Sequence, residues 1–206
     1  IIELGCGAAQ LSRQLLARHP GCEVTGLEVD ERQHAKNLAQ PAQRLHFVQA
    51  GAQSIPAADA SFDLALMLKS LHHVPVPLMD QALGEVRRVL RPGGWLYVSE
   101  PVFAGALNEV MRLFHDEERV RAEAIAALGR AVADGDWEMA ADVRFEVPVH
   151  YRDFDEFHRR MIGVTFVEHR LDDALLARLR ERFETNMGPD GAHFTRPMRV
   201  NLLRRR

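Results

Sequence analysis

An α/β fold, with a doubly wound, mostly parallel sheet between two layers of helices, is predicted here by three observations. Strand-like and helix-like patterns alternate through the first hundred residues. The opening apolar run ends in a glycine turn and leads straight into a helical pattern. A nearly continuous apolar run, Phe62 to Leu68, has the composition of a central strand covered on both faces. Strands separated by helices return as parallel neighbours through right-handed crossovers, which puts helices on both sides of the sheet.

Each element has its own warrant. Ile1 to Leu4 is a short apolar strand ended by Gly5 and Gly7, and AAQLSRQLLARHP sets Leu11, Leu15 and Leu16 on one helical face before Pro20 and Gly21 stop it. CEVTGLEVD reads as a second strand ending at Glu28 to Asp30, ERQHAKNLAQ as a helix and RLHFVQA as a third strand. GAQSIPAADASFD has the Gly, Pro, Ser and Asp content of a loop. The fourth strand, FDLALMLKS, is followed by the helical VPLMDQALGEVRRVL, the breaker RPGG and a fifth strand, WLYVSE. From Ala106 to Asp134 the pattern is largely helical, and ADVRFEVPVHY then alternates Val143, Phe145, Val147 and Val149 with the period of two that marks a strand. DFDEFHRRM and LDDALLARLRERFETNM read as helices, and AHFTRPMRVNLLRRR as a seventh strand with a basic, solvated tail. No linker marks a second domain, so a single domain over 1–206 is expected.

Composition narrows the function. With 206 residues, 47% of them apolar, the chain can bury a sizeable core. A net charge of −3 supplies no basic field to attract nucleic acid or an anionic membrane, so neither partner is expected. No apolar run approaches a bilayer span, and two cysteines, Cys6 and Cys22, form neither a disulfide framework nor a metal cluster. A reducing, cytoplasmic setting fits this usage, and no cluster with metal-ligand spacing stands out. The segment HDEERVR reads as a solvated helix face. Because Ile1 falls inside a strand, the sequence reads as N-terminally incomplete.

A strand ending at the carboxyl edge of a parallel sheet, then glycines and a helix, lets a ligand approach the backbone closely. Here Glu3, Gly5 and Gly7 alternate, with Ala9 next, and Gln10 stands where a dinucleotide fingerprint carries glycine. Glu28 ends the second strand at about the 20-residue separation from which a carboxylate accepts both ribose hydroxyls. An adenosine-containing ligand without a pyrophosphate is indicated, and a dinucleotide-dependent oxidoreductase is disfavoured.

In ELGCGAA, GLEVD, AQSIPAADASFDLALMLKSLHHV and EVRRVLRPGGWLYVSE, taken in that order, the sequence resembles the class I S-adenosylmethionine-dependent methyltransferases, in particular the methyltransferase type 11-like group that handles small molecules. The match is close from Ile1 to about Glu100. The resemblance implies a Rossmann-like, seven-stranded sheet with an antiparallel final strand. It implies that Glu3 helps hold the methionine ammonium of S-adenosylmethionine, that Gly5 to Gly7 lie along its methionine and ribose portions, and that Glu28 binds the ribose hydroxyls. Val29 would pack on the adenine face, Ala52 and Gln53 would meet the adenine edge, and the Leu68 carbonyl would receive the ammonium. Gly51 stands where relatives often carry an acid for the adenine amino group.

Two further departures bear on the site. Ala9 replaces a glycine, which is harmless if that position does not need a positive φ. Lys69, next to Leu68, would repel a sulfonium, so it is expected to point away or to pair with a substrate carboxylate. His72, His73 and Glu100 lie at carboxyl ends of the sheet, where His72 and Glu100 are the candidate bases and His73 is more often structural. Segment 104–140 is expected to be a helical insertion covering the substrate site, with Met111, Phe114 and His115 as pocket candidates whose helical spacing equally suits core packing. The resemblance thus implies methyl transfer to a small-molecule acceptor. A non-catalytic S-adenosylmethionine-binding module is the alternative.

Overall fold

The computed structural model describes residues 1–163 and 171–206. In chain order its elements are β1 Ile2–Leu4, α1 Gln10–Arg18, β2 Val24–Glu28, α2 Glu31–Leu38, β3 Leu45–Gln49, β4 Phe62–Leu68, α3 Met79–Val89, β5 Leu90–Pro101, α4 Ala106–Met111, α5 Glu118–Ala133, β6 Trp137–Tyr151, α6 Phe154–Phe157, α7 Asp173–Glu184, β7 Met187–Gly188 and β8 Gly191–Arg205. Seven strands follow the order β3-β2-β1-β4-β5-β8-β6, and the two-residue β7 pairs with β8 alone. The β3–β2, β2–β1, β1–β4 and β4–β5 ladders are parallel, whereas the β7–β8 hairpin is antiparallel. The order reverses at β1, which has β2 on one side and β4 on the other. Ligands of open α/β sheets bind beyond the strand carboxyl ends at such a reversal.

The described chain divides into two compact units, one of Ile1–Glu100, Ala122–Val143 and Val200–Arg206, the other of Pro101–Arg121 and Arg144–Arg199. In the first, alternation along β2 and β3 separates two apolar clusters. Leu27 and Val48 join the larger one with Met79, Leu83 and Val86 of α3 and Ala124 and Leu128 of α5, while Val24 and Leu45 join the smaller one with Ala9 and Leu16. The sheet is therefore covered on both faces. The helix α3 turns Met79, Ala82, Leu83, Val86 and Val89 inward, each large side chain contributing about 1.5–3 kcal/mol on burial. In the second unit Tyr151, Phe154, Phe157, Phe183 and Phe194 form an aromatic cluster, with T-shaped contacts such as Tyr151–Phe157 at 5.3 Å. Met111 and Phe114 pack against that cluster, which is the core role their spacing allowed.

Three local readings change. RPGG does not separate helix from strand: β5 starts at Leu90 and absorbs the segment as a bulge, with a register shift between Phe62 and Leu64 on its partner. HDEERVR is not uniformly solvated, because Glu117 and Arg121 are buried and paired at 2.5 Å, with Arg121 also donating to Asn108 Oδ1 at 3.2 Å. The basic tail is partly structural, since Arg205 donates to the Leu90 carbonyl and Arg204 lies over the Trp95 ring.

Candidate functional site

The first glycine turn is built by hydrogen bonds from three directions. The N–H groups of Gly5 and Cys6 both donate to the Leu27 carbonyl at 2.9 Å, fastening the end of β1 to β2. Gly7 is held twice: its N–H donates to Glu28 Oε2 at 2.8 Å, and its carbonyl accepts from Asn37 Nδ2 of α2 at 2.7 Å. The turn therefore offers a ligand its shape rather than the Gly7 N–H. Gly5 has φ +71°, and a Cβ there would sit 2.8 Å from Ser70 Cβ, so only glycine lets the turn lie against the β4 loop. Gly7 has φ +53° and open space where a Cβ would project.

Ala9 has φ 55°, so the position does require the left-handed region, at a cost of about 1–2 kcal/mol for a residue with a Cβ. It nonetheless starts α1, and its methyl is fully buried.

Glu28 is the best-ordered acid of the site. Its Oε1 accepts from the N–H groups of Val29 at 2.8 Å and Asp30 at 2.9 Å while Oε2 takes Gly7, so three donors fix the carboxylate at the end of β2. Beside it Val29 is 65% exposed, an apolar surface next to a fixed anion. Glu3 is buried in β1 and accepts from the Ser12 hydroxyl of α1; burial holds its carboxyl above the usual range, against the pull of that hydrogen bond. Burial pushes the Cys6 thiol up to about 12, and the Glu3 and Glu28 carboxylates push it the same way. The turn thus lies in a negative local field that favours a cationic ligand.

Near the ends of β3 and β4 the other predicted residues take mixed roles. The Ala52 side chain belongs to the core, and the Gln53 carbonyl accepts from Gln81 Nε2 at 2.9 Å. Leu68 pairs with Ser99 at the end of β4, next to Lys69, which is exposed with φ 55°. Lys69 forms no ion pair among the described residues. Ser70 Oγ is buried without a hydrogen-bond partner.

Glu100 is buried at the end of β5 and organises the loop after β4. Its Oε1 accepts from the N–H groups of Leu71 at 2.9 Å and Ser70 at 3.2 Å, and its Oε2 bonds the Nδ1 of buried His72. A carboxylate on Nδ1 fixes that nitrogen as the protonated one in the neutral ring, which places the lone pair on Nε2. His73, in contrast, is exposed, with its ring 4.1 Å from that of His72. His115 bonds Glu117 at 2.9 Å in the second unit.

Sequence reasoning missed Ser12, Asn37 and Ser70. Asn37 left one trace, a polar side chain on the buried face of α2.

A parallel sheet whose reversal point carries a glycine turn, locked to a strand-end carboxylate, is the nucleotide-binding arrangement of doubly wound α/β folds. Residues 2–98 match the family model described as "Methyltransferase domain". O-methyltransferase rstn1 of Aspergillus nomiae is 36% identical over 128 residues, covering 56% of this chain and 53% of its own. Ubiquinone/menaquinone biosynthesis C-methyltransferase UbiE of Cereibacter sphaeroides is 32% identical over 140 residues, covering 65% of this chain and 53% of its own. The chain spans about half the length of these curated relatives. Among solved structures, a SAM-dependent methyltransferase of Methanosarcina mazei superposes with TM-score 0.60 at 18% identity, over 99% of this chain and 91% of that one, which shows the shared fold.

The cofactor that these likenesses imply is S-adenosylmethionine, and the residues present fit it. The unpartnered Ser70 hydroxyl, the open face of Gly7, and the negative field of Glu3 and Glu28 suit a polar, cationic ligand. Among the described residues no helix is long and apolar enough to cross a membrane.

Proposed function

We propose that the chain transfers the methyl group of S-adenosylmethionine to a small-molecule acceptor and releases S-adenosylhomocysteine. The observation that carries this reading is Glu28, whose carboxylate is fixed by three backbone N–H groups beside exposed Val29. A carboxylate has about four acceptor positions, so one remains directed away from the turn, with the anionic oxygens still able to share a bond with hydroxyl groups. Glu28 would hold the ribose hydroxyls, Val29 the adenine face, and Ala52 and Gln53 its edge. Glu3 and the Leu68 carbonyl would hold the ammonium.

When bound, the cofactor supplies an already activated methyl group on a cationic sulfur. The protein's part is to align the acceptor, exclude water and receive a proton. His72 is the candidate base, and Glu100 acts through it by holding Nδ1 and the loop backbone.

The test is turnover. Purified protein with S-adenosylmethionine and a panel of hydroxyl and carbon-acid acceptors should release S-adenosylhomocysteine, and Glu28→Ala should lower that release at limiting cofactor. Cofactor binding without release across the panel would instead identify a non-catalytic binding module.

A further inference from the structure

The second unit brings the His150 imidazole together with an imidazole and a carboxylate some forty residues further along the chain. His150 is near the end of β6, Asp190 in the turn between β7 and β8, and His193 in β8. One potential ligand atom from each lies within 4.8 Å of the other two. The His150 and His193 rings are 4.6 Å apart and tilted by 36°.

The surroundings already hold the set. His150 Nε2–H donates to the Asp190 carbonyl at 2.8 Å, and His193 Nε2 lies 3.0 Å from Asp190 Oδ1. A ring N–H bonded to a backbone carbonyl, as in His150, is a contact that orients imidazole ligands around metals. Gly191 makes the approach possible: its φ is +120°, and a Cβ there would stand 2.6 Å from His150 Nε2. Both histidines line an open cavity of about 630 Å³ with Pro148, Val149, Phe194 and Thr195, leaving room for coordinated water.

We propose that His150, Asp190 and His193 bind a divalent cation of the zinc class, a site separate from the one read as the methyltransferase centre. Two imidazoles and one carboxylate match the borderline ligand preference of Zn²⁺, with water completing a tetrahedron. Bonds of about 2.0–2.1 Å require the donor atoms to close to roughly 3.4 Å, a rotation that exposed side chains can make. The ion would tie the β7–β8 hairpin to β6.

Metal-free protein titrated calorimetrically with Zn²⁺ tests this. One equivalent should be lost in His150→Ala and in His193→Ala, and affinity should fall at least about tenfold in Asp190→Asn. His46→Ala, whose imidazole pairs with exposed Glu23, should match the parent. On the parent itself, the first equivalent should shift the imidazole NMR signals of two of the ten histidines, and these should be the two that vanish in the alanine variants. Unchanged stoichiometry in all variants, or first-equivalent shifts at other histidines, would overturn the assignment.

Discussion

Replacing Glu100 separates its two jobs, bracing the loop after β4 and fixing the His72 ring. Glu100→Ala removes the acceptor for the Leu71 N–H at 2.9 Å, for the longer Ser70 contact at 3.2 Å, and for His72 Nδ1. Leu71 and His72 are buried, so water cannot replace the lost acceptor fully. An orphaned buried donor costs about 1–3 kcal/mol, so with the weak Ser70 bond discounted the loss of the acceptor for the Leu71 N–H and for His72 Nδ1–H is about 2–6 kcal/mol. Glu100→Gln keeps an acceptor for the two backbone N–H groups but presents an amide N–H₂ to Nδ1. The imidazole must then accept at Nδ1 and carry its proton on Nε2, the wrong tautomer for a base. Its stability loss should be only about 1–2 kcal/mol, while the rate falls by about 10²–10⁴. Urea unfolding followed by circular dichroism gives the first quantity and S-adenosylhomocysteine release the second. An alanine variant within about 1 kcal/mol of the parent would refute the brace. A glutamine variant at the parent rate would remove His72 as the base.

Glu3→Gln should stabilise the protein at pH 7 and lower cofactor affinity. Burial raises the Glu3 carboxyl in the fold, so ionisation above the unfolded-state range works against folding, and the variant's gain in Tm should be present at neutral pH and vanish near pH 4. Gly5→Ala should lose about 2–4 kcal/mol, from a Cβ forced into positive φ and against Ser70; a melt unchanged from the parent would contradict the turn geometry. At pH 8 a disulfide reagent should titrate Cys22 rapidly and Cys6 only on unfolding, because the Cys6 thiol is buried and raised to about 12. Two fast thiols would show that the turn opens.

The fold was largely legible because its signals are local. Period-two runs, helical spacing and glycine breaks mark β1 to β4, α1 and α2 within about two residues and α3 within three, whereas β5 starts at Leu90 rather than Trp95, and the position of Glu28 at a strand end follows from strand length alone. What escaped depends on contacts between distant residues. Nothing in the spacing ties Asn37 to the Gly7 carbonyl, Ser12 to Glu3, or Glu100 to the backbone of Ser70 and Leu71. HDEERVR reads as a solvated face in the sequence, and the burial of Glu117 with Arg121 within it depends on packing that spacing does not show. His150 and His193 meet only because the chain returns to the same end of β6 some forty residues later, a separation at which no ligand motif is recognisable. Ala9 shows the converse: sequence can flag a missing glycine, but only the backbone angle tells whether that glycine was needed.

The central claim is that the Glu28 carboxylate, fixed at the end of β2, is the anchor for the cofactor's ribose. Isothermal titration of S-adenosylhomocysteine against the parent and Glu28→Gln, each shown to be folded by its thermal melt, tests it most directly. Loss of a charged acceptor for two hydroxyls predicts an affinity lower by about 2–3 kcal/mol, or about 30–150-fold. Equal affinity for the two proteins would contradict the claim.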